Sequence, residues 1–187
     1  MKLVFVRHGE TDLNKDGILQ GQGLNPQLNN NGVRSSLFLK NKFLSRSFTA
    51  CYTSSLLRCW STSLIVVGER YEILEDRRLI ERNLGEMEGK EKKDYDMAKF
   101  WDYDLNSSEN GVEPIQDLFS RCQSFLEKLL EKYDDDASIL IVSHAGIIRC
   151  FHHLLSKSNL SSNLLTFTIE NADVREYNIS KKDFIKE

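Results

Sequence analysis

Proline is scarce. Pro26 and Pro114 are the only two in 187 residues, so no proline-rich linker divides the chain. Repeats and low-complexity stretches are missing too, and the length fits one domain (1–187) with enough chain to bury a core. The four cysteines, Cys51, Cys59, Cys122 and Cys150, form no CxxC pair and have no histidine at zinc-ligand spacing, so no metal site is expected. Four reduced thiols imply a cytoplasmic protein. Long apolar runs are lacking. Only Leu3 to Val6 separate Lys2 from Arg7, too short for a secretory core or a membrane span. Positive charge is not in excess either: the net charge is −3, which excludes a nucleic-acid partner, since binding a phosphate backbone requires clustered cations. The short basic clusters, Lys90 to Lys93 and Lys181–Lys182, carry acids beside them and read as solvated faces. No motif implies a cofactor, and the expected assembly is a monomer or homodimer.

What is present has the proportions of a globular protein, with 40% hydrophobic and 28% charged residues. Leu3 to Val6 and Ser138 to Ser143 are continuous apolar runs of the kind shown by strands buried on both faces. Thr49 to Thr53 and Glu72 to Leu74 read as weaker strands, and Val174 to Ile179 alternates like an edge strand. Helical periodicity lies between them. Val33, Leu37 and Leu44 mark one predicted helix, entered after a capping run at Asn29–Asn31. Leu56, Trp60, Leu64 and Val67 mark a second. Ile115, Leu118, Cys122, Phe125 and Leu129 line one face of a third, from Pro114 to Tyr133, and a fourth follows His144. Such alternation predicts a three-layer α/β/α sandwich around a mainly parallel sheet. Ligands then sit beyond the carboxyl ends of the strands.

Two of those ends carry histidines. The first strand leads into Arg7–His8–Gly9 and the last strong one into Ser143–His144–Ala145–Gly146. A neutral imidazole nitrogen can attack phosphorus if the other ring nitrogen keeps its proton on a fixed acceptor. Gly9 lets the backbone come close enough to offer a carbonyl there. Arg7, beside the histidine, has a planar fork that matches phosphate, and Arg58 stands at a strand-to-helix junction where anions are already favoured. A general acid is also needed, and residue pattern alone does not choose among Glu81, Glu86 and Glu88.

Residues 7–14, RHGETDLN, resemble the signature of the histidine phosphatase superfamily, also called phosphoglycerate mutase-like. Four more segments resemble it in order: Gln20–Gly21 with Asn25 to Gly32, Ser54 to Arg58 with Thr62, Glu81 to Gly89, and Ser143 to Gly146. The resemblance implies that family's fold and makes His8 the phosphorylated nucleophile. It implies that Arg7, Arg58 and His144 hold the phosphoryl group, with Asn14, Gln20 and Gly21 lining the pocket. Glu81 becomes the acid that protonates the leaving oxygen and later accepts a proton from water. Glu10 is expected to hold the loop and its arginines.

The same core serves phosphatases and mutases. Residues 90–112, the expected cover over the site, contain no arginine, whereas the mutases of this family use an arginine pair there for the substrate carboxylate. Leu84 stands where those mutases have a tyrosine and cannot replace its hydrogen bond. Hydrolysis of a small phosphate monoester is therefore expected, with mutase-type transfer and phosphoprotein hydrolysis as alternatives. A degenerate binding protein would have lost a charged catalytic position, and all are present. Tyr95, Phe100, Trp101 and Tyr103 within the cover are expected on an amphipathic helix. Asp94, Asp96, Asp102 and Asp104 are expected to form an acidic rim that disfavours bisphosphates.

Overall fold

The computed structural model describes residues 1–156 and 162–184. Its strands are β1 (Lys2–Arg7), β2 (Ala50–Thr53), β3 (Ile73–Glu75), β4 (Ser138–Ser143) and β5 (Val174–Asn178). Its helices are α1 (Asp12–Lys15), α2 (Asn30–Lys42), α3 (Leu57–Val67), α4 (Met97–Phe100), α5 (Ile115–Lys132) and α6 (Ala145–Leu155). The sheet order is β3-β2-β4-β1-β5, parallel except for β5, which runs antiparallel to β1 at the edge.

Successive side chains of a strand point to opposite faces, so each apolar run feeds two cores. Leu3, Phe5, Ile139 and Ile141 join the buried residues of α5 and α6 on one side. Val4, Val6, Leu140 and Val142 meet Leu39 and Phe43 from the end of α2, and Cys59, Val66 and Val67 of α3, on the other. This is the predicted three-layer α/β/α sandwich. The α5 stripe behaves as its periodicity indicates: Ile115, Leu118, Cys122, Phe125 and Leu129 are all fully buried. Pro114 precedes the helix as its N-cap rather than opening its first turn.

Two helix faces differ from expectation. Val33, Leu37 and Leu44 are exposed at 37%, 46% and 58%, while α2 buries Gly32, Ser36 and Leu39. Small residues face inward because the helix start is pressed against the loop after β1: a Cβ on Gly32 would lie 2.2 Å from the Glu10 carbonyl oxygen. On α3, Leu56 and Val67 are buried, but Trp60 and Leu64 point outward, and the inner face is Arg58, Cys59, Thr62, Ser63 and Val66. That face is polar because it serves the crevice described next. The segment 90–112 forms no amphipathic helix. It holds the single turn α4 between 3₁₀ turns, with Phe100 and Trp101 packed inward.

Candidate active site

Arg7 and Ser143 are register partners at the ends of β1 and β4. The residues that follow them are therefore neighbours, and the rings of His8 and His144 lie 5.2 Å apart between centroids. His8 Nδ1 is 2.7 Å from the Gly9 carbonyl oxygen. A carbonyl only accepts, so Nδ1 carries the proton and Nε2 keeps its lone pair. Burial, then the charges of Arg58 and Arg7, hold the His8 pKa well below 6.5. The backbone around the ring is pinned: Gly9 N–H donates to Thr62 Oγ1 at 3.0 Å, and the His8 carbonyl accepts from Asn171 Nδ2 at 3.0 Å. Gly9 is required sterically, because a Cβ there would meet the Gly32 carbonyl oxygen at 2.6 Å.

A cavity of about 270 Å³ opens at this point, lined by Arg7, His8, Asn14, Gln20, Gly21, Arg58 and Glu81 among others. Arg7 donates through a terminal nitrogen to the Ile169 carbonyl, and its buried Nε has no partner. Arg58, 1% exposed, is held by the Leu24 and Gly21 carbonyls at 2.9 and 2.8 Å. The Asn14 side-chain oxygen accepts from Thr11 N–H and from Asn171 Nδ2, which leaves its NH₂ as the group to present to a ligand. Gln20 Oε1 is buried without a partner. Gly21 has φ +53, and a Cβ there would lie 1.9 Å from Glu88 Oε1.

His144 does not line the cavity. It is fully buried one layer behind, with Ser54 Oγ at 2.8 Å from Nε2 and Cys59 Sγ at 3.3 Å. Arg58 Nε donates to its Nδ1 at 3.3 Å. An arginine cannot accept, so His144 is neutral with its proton on Nε2. Burial, followed by the charge of Arg58, lowers its pKa well below 6.5.

The three glutamates of the following loop separate by geometry. Glu81 reaches the cavity, with Arg82 N–H on Oε1 at 2.8 Å and Gly146 N–H on Oε2 at 3.3 Å. Glu88 instead buckles two loops together, accepting from the N–H groups of Gln22, Leu84 and Gly23. Glu86 is exposed. Glu10 holds Asn29 and Asn31 at the start of α2, not the arginines.

Several contributors lay outside the residues that the pattern singled out. Arg121 donates to the Arg78, Ile80 and Glu81 carbonyls and pairs with Glu113, which fixes the loop that carries Glu81. Asn171 arrives from the turn before β5. Arg149 also lines the cavity; its spacing of four from Ala145 on one helix face was the available clue. Lys92, expected on a solvated face, is exposed yet lines the cavity mouth. None of Asp94, Asp96, Asp102 and Asp104 lines it, so the expected acidic rim is absent from the pocket. Asp96 caps α4 and Asp102 accepts from the N–H groups of Asp104 and Leu105. Among the described residues, no helix is long and apolar enough to cross a membrane, and no cluster of three or more His, Cys, Asp or Glu could hold a metal ion.

A family model described as the histidine phosphatase superfamily (branch 1) matches residues 3–186. The chain is 29% identical to phosphoglycerate mutase-like protein 4 of Arabidopsis thaliana, over 81% of this chain and 69% of the relative. It is 26% identical to the metal-independent phosphoserine phosphatase of the same plant, over 94% of this chain and 77% of the relative. The solved structure of a mycobacterial glucosyl-3-phosphoglycerate phosphatase complexed with VO3 superposes with a TM-score of 0.81 at 26% identity. That match covers 94% of this chain and 91% of the other.

Proposed function

The chain belongs to the histidine phosphatase superfamily, and from that premise we propose that it hydrolyses small phosphate monoesters through a phosphohistidine on His8. The observation that carries this reading is the pairing of two unfilled groups in one cavity. The Nδ1–H···O=C bond to Gly9 leaves the His8 Nε2 lone pair free, and the neighbouring Arg7 has a buried Nε with no partner. A phosphoryl group satisfies both.

In the first step the Nε2 lone pair attacks phosphorus, the ester P–O bond breaks, and Glu81 gives its proton to the departing oxygen. Arg7 and Arg58 neutralise the equatorial oxygens, the larger part of catalysis for a loose transition state. In the second step water attacks, the N–P bond breaks, and Glu81 takes the proton of the water. His144 acts from behind by accepting from Arg58 Nε and so fixing the guanidinium plane. Residues 90–112 form the cover, through Met97 and Trp101 on the cavity wall.

A volume of about 270 Å³ is at the low end for small-molecule pockets, which run from roughly 300 Å³ upward. This supports metabolites over phosphoproteins. The four free buried cysteines support a reducing, cytoplasmic setting.

Rapid quench during turnover of p-nitrophenyl phosphate tests the chemistry. Phosphate on the chain should be acid-labile and base-stable, and His8→Ala should trap none. Acid-stable phosphate, or turnover retained in that variant, would move the nucleophile elsewhere. With 3-phosphoglycerate, isomer exchange without phosphate release would favour a mutase instead.

A further inference from the structure

The turn before β5 grips the end of β1 at several points that the phosphoryl chemistry does not account for. Ala172 N–H donates to the Arg7 and His8 carbonyls at 3.1 and 3.2 Å, and Arg7 N–H donates to the Asp173 carbonyl at 3.1 Å. The Ile169 carbonyl accepts from the Arg7 guanidinium. Ala172 has φ +59, in the left-handed region that a residue with a Cβ keeps only where its surroundings impose it. This backbone sets Asn171 against the main chain of the nucleophile, on the wall of the cavity.

The side chain of Asn171 reaches further than β1. Its Nδ2 lies 3.0 Å from the His8 carbonyl oxygen and 3.2 Å from Asn14 Oδ1. Both are acceptors, so Nδ2 directs one N–H to each. The His8 carbonyl is then filled, because Ala172 N–H takes its other lone pair. Asn14 Oδ1 also accepts from Thr11 N–H and Thr11 Oγ1, but Thr11 and Asn14 form the capping box of α1 and move together. Thr11 therefore orients the Asn14 amide within its own turn, and Asn171 ties that turn to the histidine. Helix α1 is a single turn with no buried residue of its own, so packing does little to hold it in place.

We infer that Asn171 is a positioning residue that fixes the separation between the His8 ring and the Asn14 amide, which meet the phosphoryl group from different segments. The inference rests on the phosphatase reading above and adds to it a residue from the far end of the chain. Both hydrogens of the Asn171 amide are on protein oxygens, so it donates nothing to the ester. Its effect is largest where Nε2 and the equatorial donors must meet phosphorus together, which is the transition state. Inorganic phosphate, attracted chiefly by the charges of Arg7 and Arg58, needs that register less.

The test compares the wild-type protein with Asn171→Ala and Asn171→Asp. The aspartate keeps the shape of the side chain and turns an oxygen, instead of a donor, toward two carbonyl oxygens. Main-chain bonds of Ala172 and Asp173 to β1 remain in both variants, so the strand end stays in place. With p-nitrophenyl phosphate both should lower kcat by about 10- to 100-fold, the scale of a misplaced reacting group, with KM within about threefold of wild type. Vanadate, which takes up the five-coordinate geometry of the transition state on the histidine, should bind more weakly by about tenfold or more. Inorganic phosphate should bind as it does to the wild type. In an Asn14→Ala background the same substitutions should cost less, because the partner they misplace is gone. A purely structural role would lower both anion affinities together and leave the vanadate-to-phosphate ratio unchanged, which overturns the inference. Equal losses in the two backgrounds, or an Asn171→Asp protein with wild-type kcat, overturn it as well. If one variant does not fold, the other decides by the same ratio. A wild-type protein that hydrolyses no ester overturns the phosphatase reading and this role with it, whereas an active protein with an unchanged ratio overturns the role alone.

Discussion

Replacing Gly146 by alanine places a methyl group 2.3 Å from Glu81 Oε1 and 2.6 Å from the edge of the Trp101 ring. Ordinary contacts begin near 3.4 Å, so something must move by about 1 Å. Trp101 is poorly placed to do so, being 5% exposed with Arg82 and Arg149 each within 5.5 Å of its ring centroid. Glu81 is the flexible partner and gives way, and the remaining contact with Trp101 pushes the ring or the helix start back by somewhat under an ångström. The backbone itself accepts the change, because Gly146 is helical and alanine in a helix is favoured over glycine by about 1 kcal/mol. Overpacking opposes this by roughly 1–3 kcal/mol, so the net effect runs from none to a loss of about 2 kcal/mol. The catalytic loss is larger, since a shift of about 1 Å in a reacting group costs on the order of 100-fold. Stopped-flow with p-nitrophenyl phosphate separates the steps. Nitrophenolate leaves without needing a proton, so a burst near one equivalent per chain should survive. The steady state behind it, which needs Glu81 to deprotonate water, should slow by about 100-fold. Hydrolysis of an alkyl phosphate needs Glu81 in both steps and should show no burst. A folded Gly146→Ala protein with alkyl phosphate turnover within about threefold of wild type would refute the placement of Glu81.

Glu81→Gln should lower kcat by about 10²–10⁴-fold while lowering the melting temperature less than the Glu88 variant does, since only two backbone N–H groups, one of them long, meet Glu81. Glu88→Gln should instead lower the melting temperature, since it weakens three acceptor contacts between two loops; scanning calorimetry beside steady-state assays reads both. Arg121→Met leaves Glu113 partly buried without its partner, and breaking such a pair from one side destabilises by about 3–5 kcal/mol, measurable by urea unfolding. Acid should also weaken the fold. His8 and His144 are held neutral by burial well below 6.5, whereas the unfolded chain takes up protons there. Stability is then present above pH 6.5 and falls as pH drops below it, by at most about 1.4 kcal/mol per pH unit for each ring. Urea midpoints between pH 7 and 5 that do not fall in the wild-type protein would contradict the buried neutral rings.

Strands and α5 were legible in the sequence because burial alone determines them. Both faces of β1 and β4 are covered, so every residue in the run is apolar, and α5 has one wet face and one dry. The inner faces of α2 and α3 were not legible, and the cause is the same in both. Each is bound to the crevice rather than to an oily layer. Gly32 is small because the backbone after β1 comes within contact of it; Arg58 and Thr62 are polar because they hold His144 and the backbone beside His8, and Ser63 because it donates to Thr53 at the end of β2. Function inverts the amphipathic pattern there, so reading the bulkiest stripe as the core assigns the wrong side.

The acid shows where residue pattern stops. Glu81, Glu86 and Glu88 are equivalent by type and lie within eight residues of one another. What distinguishes them is the number of backbone N–H groups that claim each carboxylate, and three of those groups, on Gln22, Gly23 and Gly146, come from distant segments. Glu88 is committed to three amides and spans two loops, so it cannot swing toward a substrate without opening both. Glu81 is held by two, one of them a long contact from the first turn of α6. That turn also carries Ala145 on the cavity wall and leads to Arg149. Gly146 N–H thus ties the loop that carries the acid to the start of α6, which holds Glu81 at a set distance from the cavity wall while the ester is in place.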